Sequence, residues 1–198
     1  MSPRRSDARE RMLTSAIALI RRAGASGTSL DEILAHSGAP RGSLYHHFPG
    51  GRDQLIQEAV DIAGGGIDRI LGDAGERSLV EVFDSFAGAW RETLISGEFR
   101  SGCPILAAAI ESADRTPGVV DAAGRAFTAW RTALESVLRD HGAAPARARR
   151  LSNLAVAAIE GAVVLSRVDG SIDPVDDVIH SLRPLFIDVT EPDQPGPR

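Results

Sequence analysis

Lysine is absent from this chain. All 22 basic residues are arginine, so any phosphate contact must use guanidinium, imidazole, hydroxyl or backbone N–H groups. The lack of lysine beside plentiful Ala, Gly and Arg fits the coding bias of a GC-rich genome. Cysteine is almost as scarce. Cys103 is the only one, which excludes an internal disulfide framework and a Cys-rich zinc site. No apolar run approaches the roughly 20 residues of a bilayer span. The basic start, MSPRRSDARER, has no apolar signal core directly behind it, and residues 12–23 are amphipathic and closed by Arg21 and Arg22. A cytoplasmic chain is expected, without a membrane partner. Also missing are a nucleophile elbow, a Walker loop, an HExxH pair and an EF-hand loop. Adjacent His46 and His47 lack the i, i+4 spacing that sets two metal ligands on one helix face. No enzyme, metal site or cofactor is therefore expected.

What is present is unevenly charged. The net charge of −5 argues against a polyanionic partner, but its distribution does not. Residues 1–56 hold eight Arg against five acids, and residues 57–198 hold fourteen against twenty-two. A basic head on an acidic body permits local contact with nucleic acid without general stickiness.

Apolar spacing reads as helix throughout, with no convincing period-2 strand and no repeat. Ser6 or Asp7 caps a first helix to about Arg22, with Leu13, Ala16, Ile17 and Ile20 on one face. Ser29 caps a second, with Glu32 as its capping-box partner. Gly38 breaks that helix. Pro40 then opens a brief third, Arg41 to Phe48, which Pro49–Gly51 ends. A fourth helix starts near Arg52 and carries apolar residues as far as Ile70. Gly64–Gly66 interrupts it, as a break, a close packing point or a hinge. Further helices are expected at about 78–96, 104–113, 117–141, 145–168 and 174–188. The Pro-rich polar tail from Glu191 reads as disordered.

The second and third helices form a helix-turn-helix pattern. In such a unit the second helix enters the major groove and the first braces it across the backbone. Arg41, Gly42, Ser43, Tyr45 and His46 suit that helix. Arg41 can read guanine through a bidentate contact, and Gly42 lets the backbone approach. Tyr45, His46 and His47 can bond phosphates, while Thr28, Ser29 and Arg52 flank the site near helix N-termini. Phe48 reads as core, and His47 fits core or contact equally.

Residues 28–55 resemble the DNA-binding segment of TetR-family transcriptional regulators. The resemblance rests on Thr28, Ile33, Ala35, Gly38, Gly42, Tyr45, His47, Phe48 and Arg52. Arg52 stands where the family usually has Lys, and the doubled glycine of FPGGR adds a residue before the fourth helix. With GCPILAAAIE at 102–111, that feature is similar to the subgroup of the lincomycin-resistance and flavonoid-responsive repressors. The resemblance covers about the first 60 residues closely and the rest by architecture. It implies an all-α chain: a three-helix head (1–56) joined by a fourth helix to a larger effector-binding and dimerisation domain (57–190), then a disordered tail (191–198). It also implies a repressor that binds a palindromic double-stranded DNA operator as a homodimer and is released by a small hydrophobic or aromatic effector.

The body supplies reasons of its own. One helix-turn-helix reads few bases, and two-fold dimers are the usual remedy. Small residues at Ala155, Ala157, Ala158, Gly161 and Ala162 permit close helix approach, with Val175, Val178, Ile179, Leu182 and Leu185 on the last helix. Five of the nine aromatic residues (Phe83, Phe86, Trp90, Phe127 and Trp130) fall on two body helices. They suit a flat apolar effector or an ordinary core. Two more candidates accompany them: Cys103, a small residue beside Pro104, and Asn153, a polar residue like Glu160 on an apolar helix. A DNA-binding protein whose body only dimerises remains the competing reading.

Overall fold

The computed structural model describes residues 3–66, 77–111 and 117–189. The expected continuation of the fourth helix to Ile70 and the tail at 191–198 lie outside them. The described residues form nine helices and no strand: α1 Pro3–Ala23, α2 Leu30–Ser37, α3 Arg41–His47, α4 Gly51–Gly64, α5 Leu79–Ser96, α6 Pro104–Glu111, α7 Pro117–Asp140, α8 Pro145–Asp169 and α9 Asp173–Ile187. The first begins a turn earlier than its expected cap.

The chain divides into two compact units. The first comprises Met1–Gly65 with Arg100–Phe127, and the second Gly66–Phe99 with Thr128–Arg198. Helix α7 therefore contributes to both.

In the first unit α1 buries Met12, Leu13, Ala16 and Ile20 against the head's other helices, which bury Ile33, Leu44, Phe48, Leu55 and Ile56. A core of this kind is the main source of stability for short helices, which are marginal alone. The entry to α2 is fixed locally. Ser29 N donates to Glu32 Oε2 at 2.8 Å, and Glu32 N donates to Ser29 Oγ at 3.2 Å, which completes the capping box. Glycine is required at two turns. Gly38 (φ 63°) closes α2, and Gly51 (φ 67°) turns the chain into α4 in the left-handed region. The extra glycine before α4 thus performs a definite backbone task.

Residues 100–127 complete this unit. Ile105, Ala108, Val119 and Ala122 are buried, Gly102 N donates to Arg21 O at 2.9 Å, and Arg125 bonds Asp61 at 2.8 Å. At the end of α4 a Cβ on Gly64 would lie 2.6 Å from the Ala126 Cβ. The two backbones meet closely there because glycine allows it.

In the second unit α5, α8 and α9 share a core of Val82, Phe83, Ile159, Val163, Leu182 and Phe186. The rings of Phe83 and Phe186 lie 4.7 Å apart between centroids, tilted by 30°. Arg147 donates to the carbonyls of Val189 and Asp188, each at 3.0 Å, and so satisfies the end of α9.

Helix α8 corrects one expectation. By length and composition it is apolar enough to cross a membrane, with a mean hydropathy of 1.5 over its best window. Single polar residues such as Glu160 and Arg167 break its apolar runs, which conceals this in the sequence. Half of that window is buried inside the protein, as expected for a core helix.

Candidate nucleic-acid interface

Helix α3 is anchored by Leu44 and by Phe48 just beyond its end, both buried. With those two inward, α3 turns Arg41, Gly42, Tyr45 and His46 outward. Tyr45 is 62% exposed, with one ring edge beside Gly51 and most of the ring in solvent. A Cβ on Gly42 would meet nothing within 4 Å among the described residues, so their packing does not require glycine there. Ser43 is half-buried, and its hydroxyl donates to Pro40 O at 2.7 Å. His47 is also half-buried, with its ring edge toward Phe48.

Thr28, Ser29 and Arg52 do different work. Thr28 is buried, and its hydroxyl donates to Gly24 O at 2.7 Å. Arg52 Nε donates to Thr28 O at 2.9 Å, and the same guanidinium bonds Ala25 O. The arginine thereby ties the α1–α2 connection to α4. The Ser29 hydroxyl is committed to its capping box. These three hold the face together, whereas Arg41, Gly42, Tyr45 and His46 present it.

Arg41 has a partner that sequence reasoning missed. One of its η nitrogens lies 2.8 Å from Asp31 Oδ1, with both side chains more than 70% exposed. Ten residues separate the two, so no helical period connects them. Only the crossing of α2 and α3 does.

In the second unit Phe83, Phe86 and Trp130 line one crevice with Val82, Leu134, Ala155 and Val156. Every lining residue is apolar. Trp90 is half-buried on α5 and is not among the lining residues. Asn153 is exposed, and its Oδ1 accepts from Arg131 at 3.5 Å. Cys103 and Phe127 belong to the first unit. Cys103 is buried there, and its Sγ accepts from Leu106 N at 3.4 Å at the start of α6. Val82, Leu134, Ala155 and Val156 were missed as lining residues because their types are those of any helical core.

Comparison with known proteins agrees with this geometry. Residues 12–59 match the family described as bacterial regulatory proteins, tetR family. Residues 80–181 match the LmrA/YxaF-like transcriptional regulator C-terminal domain. An uncharacterized HTH-type transcriptional regulator of Mycobacterium tuberculosis is 41% identical over 90% of this chain and 94% of its own. The HTH-type transcriptional regulator LmrA of Bacillus subtilis is 34% identical over 81% of this chain and 86% of its own. A TetR transcriptional regulator from Chloroflexus aurantiacus superposes with a TM-score of 0.77 at 25% identity, covering 94% of this chain and 98% of that one. The helical fold, the helix-turn-helix and both matched segments make this chain a member of the TetR family of DNA-binding transcriptional regulators, in its LmrA/YxaF-like branch.

Proposed function

We propose that the chain is a repressor that binds a palindromic operator as a homodimer and is released by a small hydrophobic effector. The division of labour is a DNA-binding head at 1–56 and an effector-binding and dimerisation body at 57–190. The observation that carries the reading is the outward face of α3. Arg41, Tyr45 and His46 stand in solvent beside a glycine that the chain's own packing does not need. Arg41 reads a base edge, Tyr45 and His46 bond phosphates, and Gly42 admits close approach. Thr28, Ser29 and Arg52 support that face.

Dimerisation is supported by α8. Of the expected stripe Ala155 and Ala162 are buried within the chain, whereas Leu154, Ala157, Gly161, Leu165 and Val168 follow one another at helical spacing and all are exposed. Leu165 and Val168 are 55% and 78% exposed, and Ile187 on α9 is 58% exposed. Small residues among larger ones suit a second copy packing against the same stripe. Two copies would hold their recognition helices about 34–36 Å apart, one DNA turn.

Effector control runs through α7 in this reading. Its first half meets α4 at Gly64, and its second half carries Trp130 and Leu134 in the apolar crevice. An effector that widens the crevice favours a body state in which α4 shifts and the spacing is lost. DNA and effector must then weaken each other equally. The burial of Val82, Phe83 and Trp130 as core side chains favours a second reading, in which the body serves dimerisation alone. The test uses genomic fragments retained by the purified protein. Fluorescently labelled, they are titrated with the protein, with and without a panel of flat apolar compounds. Release by one compound, with quenching of Trp130, supports effector control; no release by any supports the second reading. Unchanged affinity in Arg41→Ala and Tyr45→Phe proteins would count against the α3 face.

A further inference from the structure

Asp31 is an acidic side chain on the surface proposed above to face DNA. It sits in the first turn of α2, is highly exposed, and lies 2.8 Å from the guanidinium of Arg41 at the start of α3. Its placement is costly beside a polyanion. A carboxylate near phosphates repels them, and a surface ion pair contributes little stability in return. The second carboxylate of that turn, Glu32, is engaged by the Ser29 cap. Asp31 makes no such bond among the described residues; its one described partner is the arginine on the neighbouring helix.

We infer that Asp31 is a specificity-determining residue, which neutralises and orients Arg41 so that this arginine rewards a matching base and not any phosphate. The inference rests on the assignment of the α3 face to DNA. A guanidinium has five N–H donors in a planar fork. With Asp31 Oδ1 2.8 Å from one η nitrogen, charge draws the guanidinium toward the start of α2 and leaves its N–H donors available for a base edge. Its charge is also balanced within the protein. In the free protein the paired Arg41 therefore holds fewer counterions, and it adds little to the salt-dependent affinity for arbitrary DNA. Without Asp31 the same side chain becomes a mobile cation beside the backbone, and it strengthens binding to every sequence.

Two quantities separate this role from a purely structural one: the salt slope on arbitrary DNA, and the ratio of specific to non-specific affinity. The experiment uses the full-length protein and two labelled duplexes of equal length, one of fixed scrambled sequence and one carrying a sequence retained from sheared genomic DNA. Affinities are measured by fluorescence anisotropy across a salt series. Asp31→Asn is expected to bind the scrambled duplex more tightly and to steepen its log–log salt slope by up to about 0.9 for each protomer engaged. The retained sequence gains less, so the specificity ratio falls. Asp31→Glu, which preserves the charge, is expected to restore slope and ratio toward the original. Thermal unfolding confirms that both variants are folded.

A slope and ratio unchanged in Asp31→Asn would overturn the inference, as would equal behaviour of the Asn and Glu variants. Arg41→Ala tests the underlying assignment separately. If that variant binds both duplexes as the original does, the placement of α3 against DNA fails with it. If Arg41→Ala weakens binding but Asp31→Asn changes nothing, only the role of Asp31 falls.

Discussion

Replacing Gly64 by alanine tests how α4 is held against α7. A Cβ at that position would lie 2.6 Å from the Ala126 Cβ and 3.5 Å from its Cα. Carbon atoms in good contact lie about 3.5–4.0 Å apart, so the helices must separate by about 1 Å. Overpacking of that kind costs about 1–3 kcal/mol. The opposing gain is helix propensity, at most about 1 kcal/mol for glycine to alanine and less at a helix end. The expected net loss is about 1–2 kcal/mol. Ala126→Gly alone should cost about 1 kcal/mol, because it places glycine within a helix. The double variant removes the clash, so the two changes should couple favourably by about 1–3 kcal/mol. Urea unfolding at one fixed protein concentration measures all four stabilities. Additivity within about 0.5 kcal/mol would refute the close-contact argument, as would a Gly64→Ala protein as stable as the original.

Further outcomes are expected. Arg52→Ala removes hydrogen bonds to the carbonyls of Thr28 and Ala25 and should destabilise the protein by about 2 kcal/mol. Tyr45→Phe, on an exposed ring, should stay within about 0.5 kcal/mol, and equal melting shifts would contradict this contrast. Phe186→Ala empties the space beneath Phe83 and should cost about 3–5 kcal/mol in denaturant unfolding; a loss below that of an ordinary surface change would show that the ring is not core. Leu165→Asp should lower the mass seen in sedimentation to that of one protomer if the α8 stripe is the interface, and an unchanged dimer would exclude it. The capping boxes set an acid dependence. Ser29 holds Glu32 below the usual glutamate range, through its backbone N–H first and then its hydroxyl. Ser78 does the same for Glu81, with its hydroxyl first and then its backbone. A depressed folded value means stability is present above the unfolded value and is lost as pH falls through the lower folded one. Acid titration of a Ser29→Ala, Ser78→Ala protein should show a flatter decline below the glutamate range, and an unchanged curve would disprove it.

The local signals were the ones the sequence carried openly. The Ser29–Glu32 box, the Gly38 turn and the alternation of Leu44 and Phe48 with Tyr45 and His46 each depend on neighbours within one or two turns. Helix starts expected at about 78, 145 and 174 lie within a residue of those found at Leu79, Pro145 and Asp173. Pairings set by tertiary crossing were not. Nothing in the spacing of Asp31 and Arg41 announces an ion pair, and nothing around Thr28 shows that its hydroxyl turns back to Gly24. The aromatic pattern of the body was visible, but not its assortment. Phe83, Phe86 and Trp130 share a crevice, while Phe127, three residues before Trp130, belongs to the other unit. A helix presents different faces along its length, and composition does not say which unit each face serves.

The first unit is built from two stretches of chain that are far apart in sequence, Met1–Gly65 and Arg100–Phe127. During synthesis, α1–α4 emerge well before the residues that cover them. At bacterial and eukaryotic elongation rates the gap between residues 65 and 127 is about 3–12 s, far longer than helices need to form. For that interval the faces of α1 and α4 that later meet α6 and α7 are exposed apolar surface on a nascent chain. A helix-turn-helix that gained its full stability only when residue 127 was in place would not act on DNA before most of the chain had been made.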